Sequence, residues 1–234
     1  MDWHKFAQQM SAMAHDLLMQ PTVDSTLERI TASASDLVEG CDAAGILLVG
    51  RRAQTLAPTR PLVTELDRLQ SRLGEGPCFA AARHSRGERV YRIHDLTEQS
   101  SRWPRFVPHA RKRGVGSMMG FLLYTDGEDL GALNFYSHRP GAFTDDSESA
   151  GVLLASHAAV ALSTARTHAQ MELAVATRHQ IGEAMGILMG AHQYSEEEAF
   201  AALRRHSQHR NVKLRDVARH VCETGGLPDQ ARST

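Results

Sequence analysis

The chain has 234 residues, 42% hydrophobic and 23% charged, with 26 Lys+Arg against 27 Asp+Glu. That composition supports one sizeable core or two modest ones and excludes fibrous and wholly disordered classes. The longest weakly polar stretch, Ala150 to Leu162, is interrupted by Ser156 and His157 and is shorter than the roughly 20 residues a bilayer crossing needs, so no membrane-spanning helix is expected. The opening Met-Asp-Trp-His-Lys-Phe lacks the basic cap and apolar run of a secretory signal. Three widely spaced cysteines, Cys41, Cys78 and Cys222, suit a reducing compartment better than a disulfide framework, and the cytoplasm is the expected location.

Phe6, Met10, Met13 and Leu17 keep a helical spacing, as do Leu27, Ile30, Ala34 and Leu37, with Pro21 between the two sets. After Gly40 the apolar run Gly45 to Gly50 is too short for a helix and reads as a buried strand. Further strands are predicted at Gln54 to Ala57, Arg89 to Ile93, Ser117 to Tyr124 and Asp129 to Ser137. Asp126-Gly127 lies between the last two and favours a tight antiparallel connection. The N-terminal part is therefore an α+β unit with an antiparallel sheet.

From the cap Thr144-Asp145-Asp146-Ser147 the pattern turns helical and meets no Pro or paired Gly until Gly190. Val152, Ala155, Ala159, Leu162, Arg166, Ala169 and Leu173 alternate steps of three and four, which predicts a coiled-coil seam for a dimer through all of them but Arg166. Two separate helices broken near Thr164 to His168 are the alternative, because fair helix formers alone do not enforce continuity. Ser195-Glu196-Glu197-Glu198 is a capping box opening a helix through Ala199, Phe200 and Leu203. Leu214, Val217, Ala218 and Val221 then form another helical stripe, stopped by Gly225-Gly226 and Pro228.

Charge is unevenly spread. Between Arg51 and Arg113 there are 14 Lys+Arg against 6 Asp+Glu. Between Leu203 and His220, six basic residues face Asp216 alone, and only this second cluster is dense enough in one short helical segment to suggest a polyanion-facing patch.

The run Arg178-x-x-Ile181-x-x-Ala184-x-Gly186-Ile187-Leu188-Met189, with Ser195 to Arg204 and Asn211 to Ala218, closely resembles the ANTAR family. The resemblance implies a three-helix module that binds nascent RNA, a pair of small stem-loops, as a dimer and prevents transcription termination. Upstream, Leu69 to Ala80 with Asp95-Leu96, Arg102-Trp103-Pro104, Gly114-Val115 and Gly131 to Asn134 is similar to the GAF domain fused to ANTAR modules in actinobacterial regulators. Together they imply a GAF-like antiparallel sheet flanked by helices, then a long coiled-coil helix leading into a three-helix ANTAR bundle. The expected divisions are a sensor domain over 1–166, with its connector helix from about 145, an RNA-binding domain over 167–226 and a flexible tail over 227–234.

The candidate RNA contacts are Arg178, Arg204, Arg205, Arg210, Lys213 and Arg215, because guanidinium groups grip phosphates bidentately and stack on exposed loop bases. A charge run is more often only a solvated helix face, and the family pattern reverses those odds. Asn211 is expected to cap the third helix, Ala184, Ala199 and Ala218 to sit at close helix contacts, and Gly186 to admit near approach of RNA. Cys78, after a tight turn, is the tempting nucleophile of an alternative, a thiol-dependent redox enzyme on the GAF fold with Cys41 as resolving thiol. A structural cysteine is the expected reading. A DNA-binding repressor is the third hypothesis, since three short helices imitate helix-turn-helix. No catalytic residue, metal site or cofactor is predicted. The expected protein is a homodimeric, signal-responsive antitermination regulator in which a signal at the GAF unit, with a small-molecule effector as one candidate, changes the pairing or rotation of the connecting helices.

Overall fold

A computed structural model describes residues 3–49, 53–77, 89–125 and 128–228. The chain divides into two compact units, Met1–Arg166 and Thr167–Thr234. Among the described residues no helix is long and apolar enough to cross a membrane.

The first unit opens with α1 (Trp3–Leu18) and α2 (Val23–Leu37). Pro21 ends the first pattern, and Thr22 starts the second by accepting the Ser25 N–H at 3.1 Å while the Ser25 hydroxyl accepts the Thr22 N–H. Strands β1 (Ala43–Val49), β2 (Ala53–Leu56), β3 (Val90–Ile93), β4 (Ser117–Thr125) and β5 (Glu128–Ser137) form one antiparallel sheet in the order β2-β1-β5-β4-β3. Strand alternation divides its side chains between two cores. Ala44, Ile46, Met119, Phe121, Leu133 and Phe135 join the apolar faces of α1, α2 and α5 (Asp145–His192). Leu47, Met118 and Tyr136 point the other way, into a core with α3 (Pro61–Leu73) and α4 (Phe106–Lys112). Because helices cover both faces, the central strands read as nearly continuous apolar runs.

Close approach explains two glycines. A Cβ on Gly45 would lie 2.6 Å from Val63, so α3 rests directly on β1. A Cβ on Gly151 would lie 2.3 Å from the Phe121 ring, so that ring of β4 rests directly on the α5 backbone.

Helix α5 starts as its sequence indicates: Thr144 Oγ1 accepts the Ser147 N–H at 3.2 Å, and Ser147 Oγ accepts the Thr144 N–H at 3.1 Å. It runs 48 residues without a break between Thr164 and His168. The predicted seam, however, is not one surface. Ala155, Ala159 and Leu162 are buried in the sheet-facing core of their own unit, whereas Val152, Ala169 and Leu173 are exposed. A heptad spacing registers that a helix has an apolar side, and here most of the first half of that side is taken up by the sheet-facing core of its own unit.

Two buried ionisable groups mark this unit. Asp67 on α3 is held by Thr55 Oγ1, which donates to Oδ2 at 2.8 Å, and by Tyr136 Oη, which donates to Oδ1 at 3.2 Å. Burial nevertheless pushes its carboxyl up to about 6 against the lowering effect of those two bonds. Burial, with Asp42 alongside, pushes the Cys41 thiol up to about 12. The basic excess between Arg51 and Arg113 is partly consumed in ion pairs: Arg92 with Asp145 and Glu148, Arg105 with Glu75, and Arg113 with Glu65.

Candidate nucleic-acid interface

The second unit is built from the last part of α5 with α6 (Glu196–Arg210) and α7 (Leu214–Thr224). Its core is small: Ala184, Leu188, Ala199, Leu203, Val217, Ala218 and Val221, with Ile181, Ile187 and Leu214 packed around them. Ala184, Ala199 and Ala218 are fully buried, as small residues at close helix crossings should be. Gly186 is exposed, and a Cβ there would meet nothing within 4 Å.

Helix α6 begins at the predicted capping box. Ser195 Oγ accepts the Glu198 N–H at 3.3 Å, and Glu198 Oε2 accepts the Ser195 N–H at 2.8 Å. Hydrogen bonds that Ser195 donates to the Glu198 carboxylate, the backbone N–H foremost and then the side chain, hold that carboxyl below its ordinary value. The helix ends at Asn211, whose φ of 52° and ψ of 40° are left-handed and whose N–H returns to the carbonyls of Ser207 and Gln208. Asn211 is thus the C-terminal stop of α6 and not the N-cap expected for α7. Asparagine tolerates the left-handed conformation better than other non-glycine residues, and the N-cap position falls to Lys213, which makes no side-chain capping bond.

Of the six candidate contacts, Arg178, Arg204, Arg205, Arg210 and Lys213 are exposed and Arg215 is half-buried. Among the described residues no ion pair holds Arg178, Arg204, Arg205 or Lys213. Arg215 Nε lies 3.9 Å from Asp216 Oδ1, and that carboxylate is also bonded by Arg219. Positive charge is therefore concentrated locally, between Leu203 and His220, while Lys+Arg and Asp+Glu balance at seven each over Thr167 to Pro228. The structure brings Arg178 and Arg215 together in one shallow groove of about 570 Å³, whose lining also includes Leu173, Ala174, Ile181 and Phe200. Arg204 follows Phe200 by one helical turn, on the same stripe of α6. Arg210 and Lys213 lie at the turn between α6 and α7.

Phe200 was not legible as a site residue. Its spacing with Ala199 and Leu203 predicts a core position, yet 39% of it is exposed. An aromatic residue one helical turn before Arg204 is the signal that points to it.

The comparisons follow this division. A GAF-domain model matches residues 20–163, and an ANTAR-domain model matches residues 169–221. The chain belongs to the GAF family and carries an ANTAR domain after it. It is a GAF–ANTAR regulator, pairing a signal-sensing type of domain with one of the RNA-binding antitermination type.

Solved structures share the fold of its first unit. The GAF domain of a phosphoenolpyruvate-protein phosphotransferase from Coxiella burnetii aligns at 16% identity with a TM-score of 0.55, covering 73% of this chain and 99% of that one. The photosensory core module of a Stigmatella aurantiaca phytochrome aligns at 13% identity with a TM-score of 0.60, covering 86% of this chain and 44% of that one. Free methionine-R-sulfoxide reductase from Neisseria meningitidis aligns at 14% identity with a TM-score of 0.53, covering 70% of this chain and 91% of that one. No protein of curated function matches the sequence.

GAF and ANTAR are regulatory domains, although the reductase shows that the GAF fold also supports an enzyme. For the redox alternative, Cys78 lies outside the described residues. Cys41 is described, and its buried thiol donates to the Ala43 carbonyl at 3.4 Å and stays protonated at neutral pH. A resolving thiol has to present a thiolate, so Cys41 is not suited to that role in the GAF–ANTAR regulator. Among the described residues no group of three or more His, Cys, Asp or Glu is placed to hold a metal ion.

Proposed function

We propose that this regulator binds RNA stem-loops as a homodimer, and that a signal taken up by the GAF unit alters how the α5 helices pair and thereby spaces the two RNA-binding surfaces. The observation that carries the reading is the set of exposed cations Arg178, Arg204, Arg205 and Lys213, held in no ion pair among the described residues and placed on a matched ANTAR domain. Phosphate contacts by such groups release condensed counterions, so affinity must fall with salt.

The pairing surface in this reading is corrected by the burial pattern. In the first unit the exposed apolar side of α5 carries Leu153 and Val160, and in the second unit it carries Met171 and Val175. These side chains, instead of Ala155, Ala159 and Leu162, are available to a second copy. The GAF unit is the place for a small-molecule effector, whose favourable binding to one dimer arrangement would supply the switching energy.

The test replaces Arg204, Arg205 and Lys213 together by Ala and measures stem-loop affinity against salt concentration. Each lost phosphate contact lowers the slope of log affinity against log salt by about 0.7 to 0.9, so the triple variant loses roughly 2 to 3 units of slope per module. An unchanged slope removes these residues from the interface. Competition with duplex DNA separates this reading from a DNA-binding repressor, and tighter binding of the duplex would overturn it.

A further inference from the structure

The second unit leaves one apolar feature that its own packing does not use. Its core closes around Ala199 and Leu203, while Phe200, between them in sequence and Leu203 aside on α6, stays outside that core and lines the groove with Leu173, Ala174 and Ile181. Leu173 is 54% exposed, so the groove wall is open to a partner. Arg178 and Arg215 belong to the same lining. Arg178 is in no ion pair among the described residues, and Arg215 has only a carboxylate at 3.9 Å that Arg219 also engages.

A planar aromatic face and two incompletely neutralised guanidinium groups, in a largely apolar wall that also carries Gln170 and Thr177, match the chemistry of an unpaired nucleotide. The base stacks on the ring, and the arginines take the phosphate bidentately or bond the base edge. The groove volume of about 570 Å³ lies within the range of small-molecule sites. An apolar helix from a second copy fits less well, because covering the groove with hydrocarbon would leave both guanidinium groups desolvated without acceptors.

We propose that this groove reads one unpaired loop nucleotide of the RNA stem-loop, with its base stacked on Phe200 and its phosphate or base edge held by Arg178 and Arg215. The assignment rests on the RNA-binding reading above and adds to it a source of loop recognition, distinct from the phosphate contacts of Arg204, Arg205 and Lys213.

The test uses the full chain and RNA stem-loops recovered from a randomised-loop pool by binding to it. Each loop position is made abasic in turn, and affinities are measured for wild type, Phe200→Ala and Phe200→Tyr. Removing the base at one loop position is expected to weaken wild-type binding roughly 5- to 150-fold, the effect of losing one stacked base. Phe200→Ala should show a loss of similar size and no further loss at that abasic position, while Phe200→Tyr keeps both affinity and base dependence. Because Phe200 lies outside the core, the helical content of the Ala variant should match wild type. RNA affinity unaffected by Phe200→Ala, or losses that simply multiply, would overturn the groove assignment and leave RNA binding standing. A changed dimer mass with unchanged RNA affinity would give the groove to a second copy and also overturn it. If no stem-loop is recovered from the pool, the RNA reading fails and this inference falls with it.

Discussion

The two parts of α5 on either side of the unit boundary carry the same kind of apolar repeat and meet different fates. From Ala150 to Leu162, seven residues of the apolar side (Ala150, Leu154, Ala155, Ala158, Ala159, Ala161 and Leu162) are buried in the first unit's core. From Ser163 to Ile181 no residue is buried, and Val175 stands 71% exposed. The contrast teaches that periodicity identifies a side of a helix but not its partner. In the first part the partner is the core of the same protomer's sheet unit; in the second Ile181 packs at the edge of its own unit's core, and full burial begins only at Ala184.

The sharpest way to break this comparison is to place one charge in each part. Leu162→Asp buries a carboxylate in the apolar core of the first unit, at a cost of about 3–5 kcal/mol, and should unfold the GAF unit. Val175→Asp should leave thermal unfolding of both units nearly unchanged while weakening self-association. Circular dichroism melts and light scattering read the two outcomes; a folded Leu162→Asp variant would show that the first part of α5 is not core.

The units should also separate by their response to pH. Asp67 lies on the buried side of α3, whereas the acid of the ANTAR capping box, Glu198, sits at an exposed helix start. The Asp67 carboxyl is raised in the folded state, so its favourable contribution is complete below its unfolded value near 4 and is lost as pH rises through about 6. Glu198 is lowered, and its contribution is lost in the opposite direction, as pH falls. Asp67→Asn should therefore flatten the GAF unit's stability between pH 4 and 6 and raise it above pH 6, by up to about 2–3 kcal/mol from a shift of about two units. Urea unfolding at pH 4, 6 and 7.5 checks this, and equal pH dependence in wild type and variant would contradict it.

The glycines of α5 provide the smallest contrast. Gly151→Ala drives a Cβ into the Phe121 ring and should cost about 1–2 kcal/mol in the GAF unit after the gain in helix propensity is set against overpacking. Gly186→Ala meets open space and should stabilise the ANTAR unit by about 0.5–1 kcal/mol. Thermal melts of the two variants should shift in opposite directions. If Gly186→Ala nevertheless weakens RNA binding, close RNA approach to that face gains support.

Much of the fold was readable because local rules and tertiary packing agree. The spacing of Phe6, Met10, Met13 and Leu17 matches one buried face, and the apolar runs of β4 and β5 match a sheet covered on both sides. Helices α3 and α4 were not anticipated. The buried side of α3 contains Asp67 and Gln70, which interrupt the apolar signal, and α4 is only seven residues long with Pro108 in its first turn.

The sequence by itself determined the α+β class, the caps at Thr144 and Ser195, and the concentration of arginine in the last helices, because these depend on residue type and short spacing. Tertiary structure decided which helix sides were left unpartnered, that Asn211 ends α6, and that Phe200 faces a groove with Arg178 and Arg215. Those outcomes depend on three segments converging: the groove draws its wall from α5, α6 and α7, and burial is set by the neighbour a side chain meets, which its own helix does not encode.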